Sequence, residues 1–285
     1  MIAFPLSTAE LQAQVRQALA EDVGWGDVTT QALVGPDLRS RGVVAFREDG
    51  VVAGLPVVAA VFAVLDSTVE CHWQAVDGAV VAAGAAVAEI SGPAASLLTG
   101  ERLALNYLQR LSGMATLTAQ YVQALAGTKA KLVDTRKTTP GLRSLEKYAV
   151  RCGGGSNHRH GLSDGVLVKD NHIAILRSQG VSLRDVVARA RAAAPHSLRV
   201  EVEVDRLDQI EDVIAGGADV ILLDNMPAPV LAEAVQAVAG RAITEASGGI
   251  TLTNIRACAE AGVDLISVGA LTHSARALDI GLDFD

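Results

Sequence analysis

From Lys129 onward the sequence repeats one unit: an apolar, largely β-branched run, a polar stop and then a helical stretch. Strands are expected at 130–134, 165–169, 199–204, 219–223, 242–246 and 265–268, with helices over 182–193, 207–215, 229–238 and 252–261. Strand, helix, strand at this spacing produces parallel strands. Six such units fit a (β/α) barrel better than a doubly wound sheet, and no GxGxxG opens any of the helices.

The residues before the repeat read differently. Ser7 with Glu10 forms a capping signature for a helix reaching about Ala20. Strand-like pieces follow at 41–48 and 69–76, divided by an apolar helix at 56–65, and two further helices are expected at 95–108 and 116–125. With 285 residues, 50% of them hydrophobic, the chain can bury one large core or two moderate ones, and an aromatic content of 3% favours closely packed α/β units. No run of 18 or more apolar residues exists and the first residues lack a signal-peptide pattern, so neither a membrane span nor export is expected. Cys71, Cys152 and Cys258 have no metal-ligand spacing and read as reduced, structural thiols of a cytoplasmic protein.

Charge is segregated. All five lysines lie between Lys129 and Lys169, and from Lys129 to His172 nine Lys/Arg face four Asp/Glu, a local +5 in a chain of net charge -8. That pattern points to a site for a multiply anionic small molecule, whereas a nucleic-acid binder needs a broad basic face. Polar residues stop five of the six strands: Asp134 then Arg136 and Lys137, Lys169 then Asp170, Glu203 then Asp205, Asp224 then Asn225, Glu245 then Ser247. In a barrel such positions converge on one mouth.

The chemistry of these residues can be apportioned. Ser247, Gly248 and Gly249, expected to open a helix near Thr251, suit a phosphate, and Gly269 follows the last strand in the same way, ahead of His273. Arg136 and Lys137 follow the first barrel strand, and His158 and Arg159 follow a glycine triplet. Arginine forks grip carboxylates, and lysines supply point charge to phosphate. Lys169 ends a buried strand, whereas Lys129, Lys131, Arg143 and Lys147 read as solvated helix or edge charges. Glu203 and Asp224 suit magnesium, directly or through water, or a cation developing on a sugar carbon; structural ion pairs with Lys169 or Arg136 are the plain alternative. His158, His160 and His172 lack the third ligand of a zinc site.

The stretch DTRKTTPGLRSLEKYAVRCGGGSNHRHGLSDGVLVKDNHI, with GERLALNYLQRLSG, EVEVD, LLDNM, SGGI and VGALTHS, resembles the quinolinate phosphoribosyltransferases, of the type II phosphoribosyltransferase group, across nearly the whole chain. The resemblance implies an N-terminal α/β sandwich-like domain over 1–112, an incomplete, open α/β barrel over 113–274, and a tail, 275–285, returning to the first domain. It implies a homodimer, some members assembling further. The reaction implied is quinolinate plus phosphoribosyl pyrophosphate giving nicotinate mononucleotide, pyrophosphate and CO2, with magnesium, in NAD synthesis. Carried over by motif, Arg102 resembles an arginine presented to the neighbouring subunit's site. Arg136, His158 and Arg159 resemble the residues around the two quinolinate carboxylates, with Lys137 and Lys169 between substrate and phosphates. Glu203 and Asp224 resemble the carboxylates at the ribose and metal, and Ser247, Gly248, Gly249 and Gly269, with His273 close behind, the 5'-phosphate cradle.

Two other enzyme readings stay open on residues alone. One is a related transferase acting on nicotinate, or one recruited to a molybdenum-transport gene context. The other is a phosphate-binding barrel in which Lys169 forms a Schiff base. A scaffold using the basic stretch as a nucleic-acid contact would leave the polar strand ends idle.

Overall fold

The six expected barrel strands form one parallel sheet in the computed structural model, which describes residues 2–284. Its order is Lys131–Val133, Leu265–Ser267, Ile243–Ser247, Val220–Asp224, Val200–Val204, Val166–Val168, every neighbouring pair running parallel. First and last strands in chain order are therefore neighbours, as in a barrel. The first and second do not pair, so the barrel is open. Ser156 partly fills that gap, its N–H donating to Leu132 O at 2.9 Å and its carbonyl accepting from Asp134 N at 3.2 Å. Ile221, Leu223, Val200 and Val202 are buried, which is why these strands read as continuous apolar runs.

Two compact units emerge: residues up to Ala119, Thr139–Gly154 and from Ser274 onward in one, Gln120–Thr138 and Gly155–His273 in the other. The first unit carries an antiparallel sheet ordered Ile280–Phe284, Arg39–Phe46, Ala86–Pro93, Glu70–Trp73. Helices Thr8–Asp22, with its Ser7/Glu10 capping box, and Leu55–Leu65 share its core with Phe46, Phe62, Ile90 and Leu97. Thr139–Gly154, which the sequence assigns to the barrel, belongs here because its helix Arg143–Cys152 is apolar toward this core. Leu145 and Ala149 are buried in it, and Tyr148 stacks edge-on against Phe4 while its hydroxyl donates to Asp77 at 2.7 Å. Residues after His273 are tied in by Glu48, which accepts from the Arg276 guanidinium and from Asp279 N.

Three expectations need correction. The two helices expected at 95–108 and 116–125 are one helix, Ala94–Ala124, whose interior Gly113 is there for close approach: a Cβ would lie 1.9 Å from Arg276 O. Lys147 is not solvated but 2% exposed. The helix after Gly249 begins only at Ile255, because Thr251–Asn254 is held as a turn by the Thr251 N–H donating to Asn254 Oδ1 at 2.8 Å. No helix among the described residues is long and apolar enough to cross a membrane.

Candidate active site

The polar strand ends of the second unit surround a cavity of about 590 Å³. Arg136, Lys137, His158, Arg159, Lys169, Glu203, Asp224, Ser247, Gly248 and Gly249 all line it, joined by Asn225, Glu245 and Ser267. Gly269 stands at its margin, where a Cβ would meet Lys137 Cδ at 3.0 Å and His273 Nε2 at 3.1 Å. Thr272 Oγ1 donates to Lys137 O at 2.8 Å, tying the turn after the last strand to the turn after the first. Arg102 is not at this cavity: it is exposed on Ala94–Ala124, in the first unit.

One wall is cationic and incompletely satisfied. Arg136 lines the cavity, and its Nε is buried without a hydrogen-bond partner among the described residues. Arg159 is steered by its Nη1 donating to Gly165 O at 3.0 Å, and burial, with the Arg136 charge beside it, lowers its pKa. His158 is placed by Asp134, a strand-end residue that proves wholly buried: Asp134 accepts from His158 N at 2.9 Å and Asn157 Nδ2 at 2.6 Å. Asp134 thus fastens the loop rather than facing the cavity. His172 likewise serves the backbone, its Nδ1 accepting from Lys169 N at 2.9 Å.

Opposite lie the carboxylates. Glu203 Oε2 is 3.8 Å from Lys169 Nζ, and burial, partly offset by Lys169 and reinforced by Asp224, raises the Glu203 pKa. A half-buried pair of carboxylates of this kind gains from a divalent cation with oxygen preference, so the donor set fits magnesium. The glycine loop sits beside them. Gly248 has φ +86°, and a Cβ there would fall 2.2 Å from Asn225 Oδ1; Asn225 itself has φ 55°. Its N–H donates to Ser247 O at 2.9 Å, locking two neighbouring strand ends together. With the following helix starting at Ile255, any phosphate held here meets loop amides, not a helix terminus.

Beneath His158 is a feature the sequence reading missed. Glu201 Oε2 lies 3.0 Å and Glu245 Oε2 3.7 Å from His158 Nε2, and the three residues form a tight buried cluster. Glu245 is 1% exposed, and burial followed by the charge of Glu201 pushes its pKa up to about 7. Glu245 reads as a strand end, and strand periodicity could have revealed Glu201 beside it: Glu201 precedes Glu203 by two residues, as Glu245 precedes Ser247, so each shares the inward face one layer deeper. Cys152, by contrast, belongs to the first unit, its thiol pushed up to about 12 by burial, as fits a structural role.

Comparison with known proteins accords with this architecture. Residues 27–112 match the family model of the quinolinate phosphoribosyl transferase N-terminal domain, and 114–283 that of its C-terminal domain. The chain is 47% identical over 290 residues to the nicotinate-nucleotide pyrophosphorylase [carboxylating] of Mycobacterium leprae, covering 98% of this chain and 99% of that one. A probable enzyme of the same name from Bacillus subtilis is 44% identical over 274 residues, covering 96% and 93%. The crystal structure of NadC from Streptococcus pyogenes superposes with a TM-score of 0.93 at 43% identity, covering 99% of this chain and 98% of that chain. Both the sequence motifs and the open barrel with its antiparallel companion unit thus place the chain in the quinolinate phosphoribosyltransferase family.

Proposed function

We propose that this protein transfers the phosphoribosyl group of phosphoribosyl pyrophosphate to the nitrogen of quinolinate with decarboxylation, yielding nicotinate mononucleotide, pyrophosphate and CO2. The observation that carries this reading is one cavity lined by Arg136, Arg159 and His158 together with carboxylates and a glycine loop, in which Arg136 Nε has no hydrogen-bond partner among the described residues. A fork that lacks a carboxylate inside the protein is matched by one on the substrate. Two arginines suit the dianionic quinolinate better than a monocarboxylate such as nicotinate.

The chain's residues divide the work by charge. Ser247, Gly248, Gly249 and Gly269, with His273, hold the 5'-phosphate, and Lys137 and Lys169 neutralise the pyrophosphate as the C1–O bond lengthens. Glu203 and Asp224 face the ribose and stabilise the positive charge that grows on C1, more in the transition state than in the ground state. The same two carboxylates would hold magnesium, which supplies charge neutralisation to the pyrophosphate. The pyridine nitrogen attacks C1 and becomes quaternary. Loss of the adjacent carboxylate as CO2 then leaves its electron pair on a carbon next to a positive nitrogen, and that carbon takes up a proton.

The active assembly is a homodimer in which Arg102 reaches the partner's cavity, and the three unpaired thiols fit a reducing cytoplasm. Purified protein is expected to release labelled CO2 from the 2-carboxylate of quinolinate only when phosphoribosyl pyrophosphate and magnesium are present. Turnover of nicotinate in preference to quinolinate would overturn the reading.

A further inference from the structure

We infer that Glu245 works as a neutral, protonated acid beneath His158, and that its ionisation sets the cavity against a dianionic substrate. This rests on the assignment of quinolinate as the substrate. The argument is one of hydrogens. The backbone N–H of Arg159 donates to His158 Nδ1 at 2.7 Å, so Nδ1 carries no proton and the ring's one N–H is on Nε2.

That single hydrogen has two candidate acceptors, and geometry gives it to Glu201, 3.0 Å away. Glu245, 3.7 Å off, is left with Oε1 unpartnered in near-complete burial. An ionised carboxylate in that setting would stand uncompensated beside another. A proton on Glu245 removes the conflict.

The same tautomer argues against a metal in the cluster. Coordination through Nε2 would strip its hydrogen while Nδ1 still accepts from Arg159, leaving an imidazolate. The surroundings of Glu245 supply only weaker relief. Its partner on Val220–Asp224 is the apolar Leu222, the flanking strand Leu265–Ser267 brings Ser267, whose hydroxyl favours the anion less than burial and Glu201 oppose it, and the other charged or titratable neighbours among the described residues are Glu201 and His158.

Direction follows from linkage. Burial and Glu201 raise Glu245 into the neutral range, so the acid form holds below it and the anion appears as pH rises through it. Both quinolinate carboxyls are ionised throughout that range. Every ionised Glu245 therefore adds a negative charge to the cavity wall that must receive two more.

The test is the quinolinate KM as a function of pH across the neutral range, for wild type, Glu245→Gln and Glu245→Asp. In wild type KM is expected to climb on the alkaline side by about tenfold per pH unit, one linked proton. Glu245→Gln, fixed in the neutral form, is expected to lose that climb, and Glu245→Asp to keep one, displaced in pH. A climb in Glu245→Gln equal to that of wild type, or none in wild type, overturns the inference. If the Gln variant does not fold, infrared spectroscopy of wild type decides: a protonated-carboxyl band must fade as pH rises through neutrality and persist further with quinolinate bound, and absence of such a band overturns the proposal. Failure of the substrate assignment is separate, because quinolinate would then give no product at any pH.

Discussion

Arg136 is the residue at which recognition is most exposed to experiment, because it lines the cavity and its Nε has no partner among the described residues. Arg136→Ala is expected to cost about 2–5 kcal/mol of quinolinate binding, at least about 30-fold in KM, as for loss of one partner of a buried charged pair. Arg136→Lys is expected to recover little, since a point charge does not replace the fork. A quinolinate KM unchanged in the alanine variant would remove the assignment. The glycine loop gives a contrast. In Gly248→Ala the new Cβ collides with Asn225, whereas Gly249, φ +60°, faces open space and bears only the left-handed strain of about 1–2 kcal/mol. The phosphoribosyl pyrophosphate KM should therefore rise much more in Gly248→Ala than in Gly249→Ala; equal effects would detach the loop from the phosphate. These site residues were legible because each stops an apolar run. Glu201 escaped notice because it sits inside one, where alternation in VEVEV must be read as depth.

At the scale of elements, the barrel strands were readable because each is an unbroken buried run, and their polar ends marked one mouth. Helix 94–124 was not, since Gly113 reads locally as a break and its real cause, Arg276 O, lies far along the chain. Nor was the placement of Arg143–Cys152, whose motif is continuous with the basic site residues although Tyr148 and Leu145 face another core. The C-terminal strand Ile280–Phe284 offers a test of its own. The Arg276 guanidinium, then Asp279 N, hold the Glu48 carboxyl down to about 2 from 4.5. A depressed pKa stabilises fully above the unfolded value and is lost as pH falls through the folded one. The protection factors of residues 280–284 are thus expected to fall between about pH 4.5 and pH 2, and by less in high salt, which already screens this solvent-exposed pair. Protection that stays flat over this interval would show the anchor to be idle.

For the whole molecule, the decisive question is whether one chain completes its own site. Arg102 stands on the first unit, exposed, while the cavity lies in the second. If it serves a partner, Arg102→Ala and Arg136→Ala are each impaired alone but regain activity on being unfolded and refolded together, because a mixed dimer rebuilds one intact site. A mixture no better than its separate components would argue for a site built from one chain. The three-part make-up of the first unit also bears on how the protein is born. A ribosome delivers Arg39–Phe46 long before Ile280–Phe284, so one edge of that strand stays unpaired while the entire barrel is translated. Co-translational folding, which ordinarily closes the leading domain first, must here finish it last. The nascent chain carries an open β edge through most of its synthesis, and it is then that self-association and chaperone capture compete with the fold.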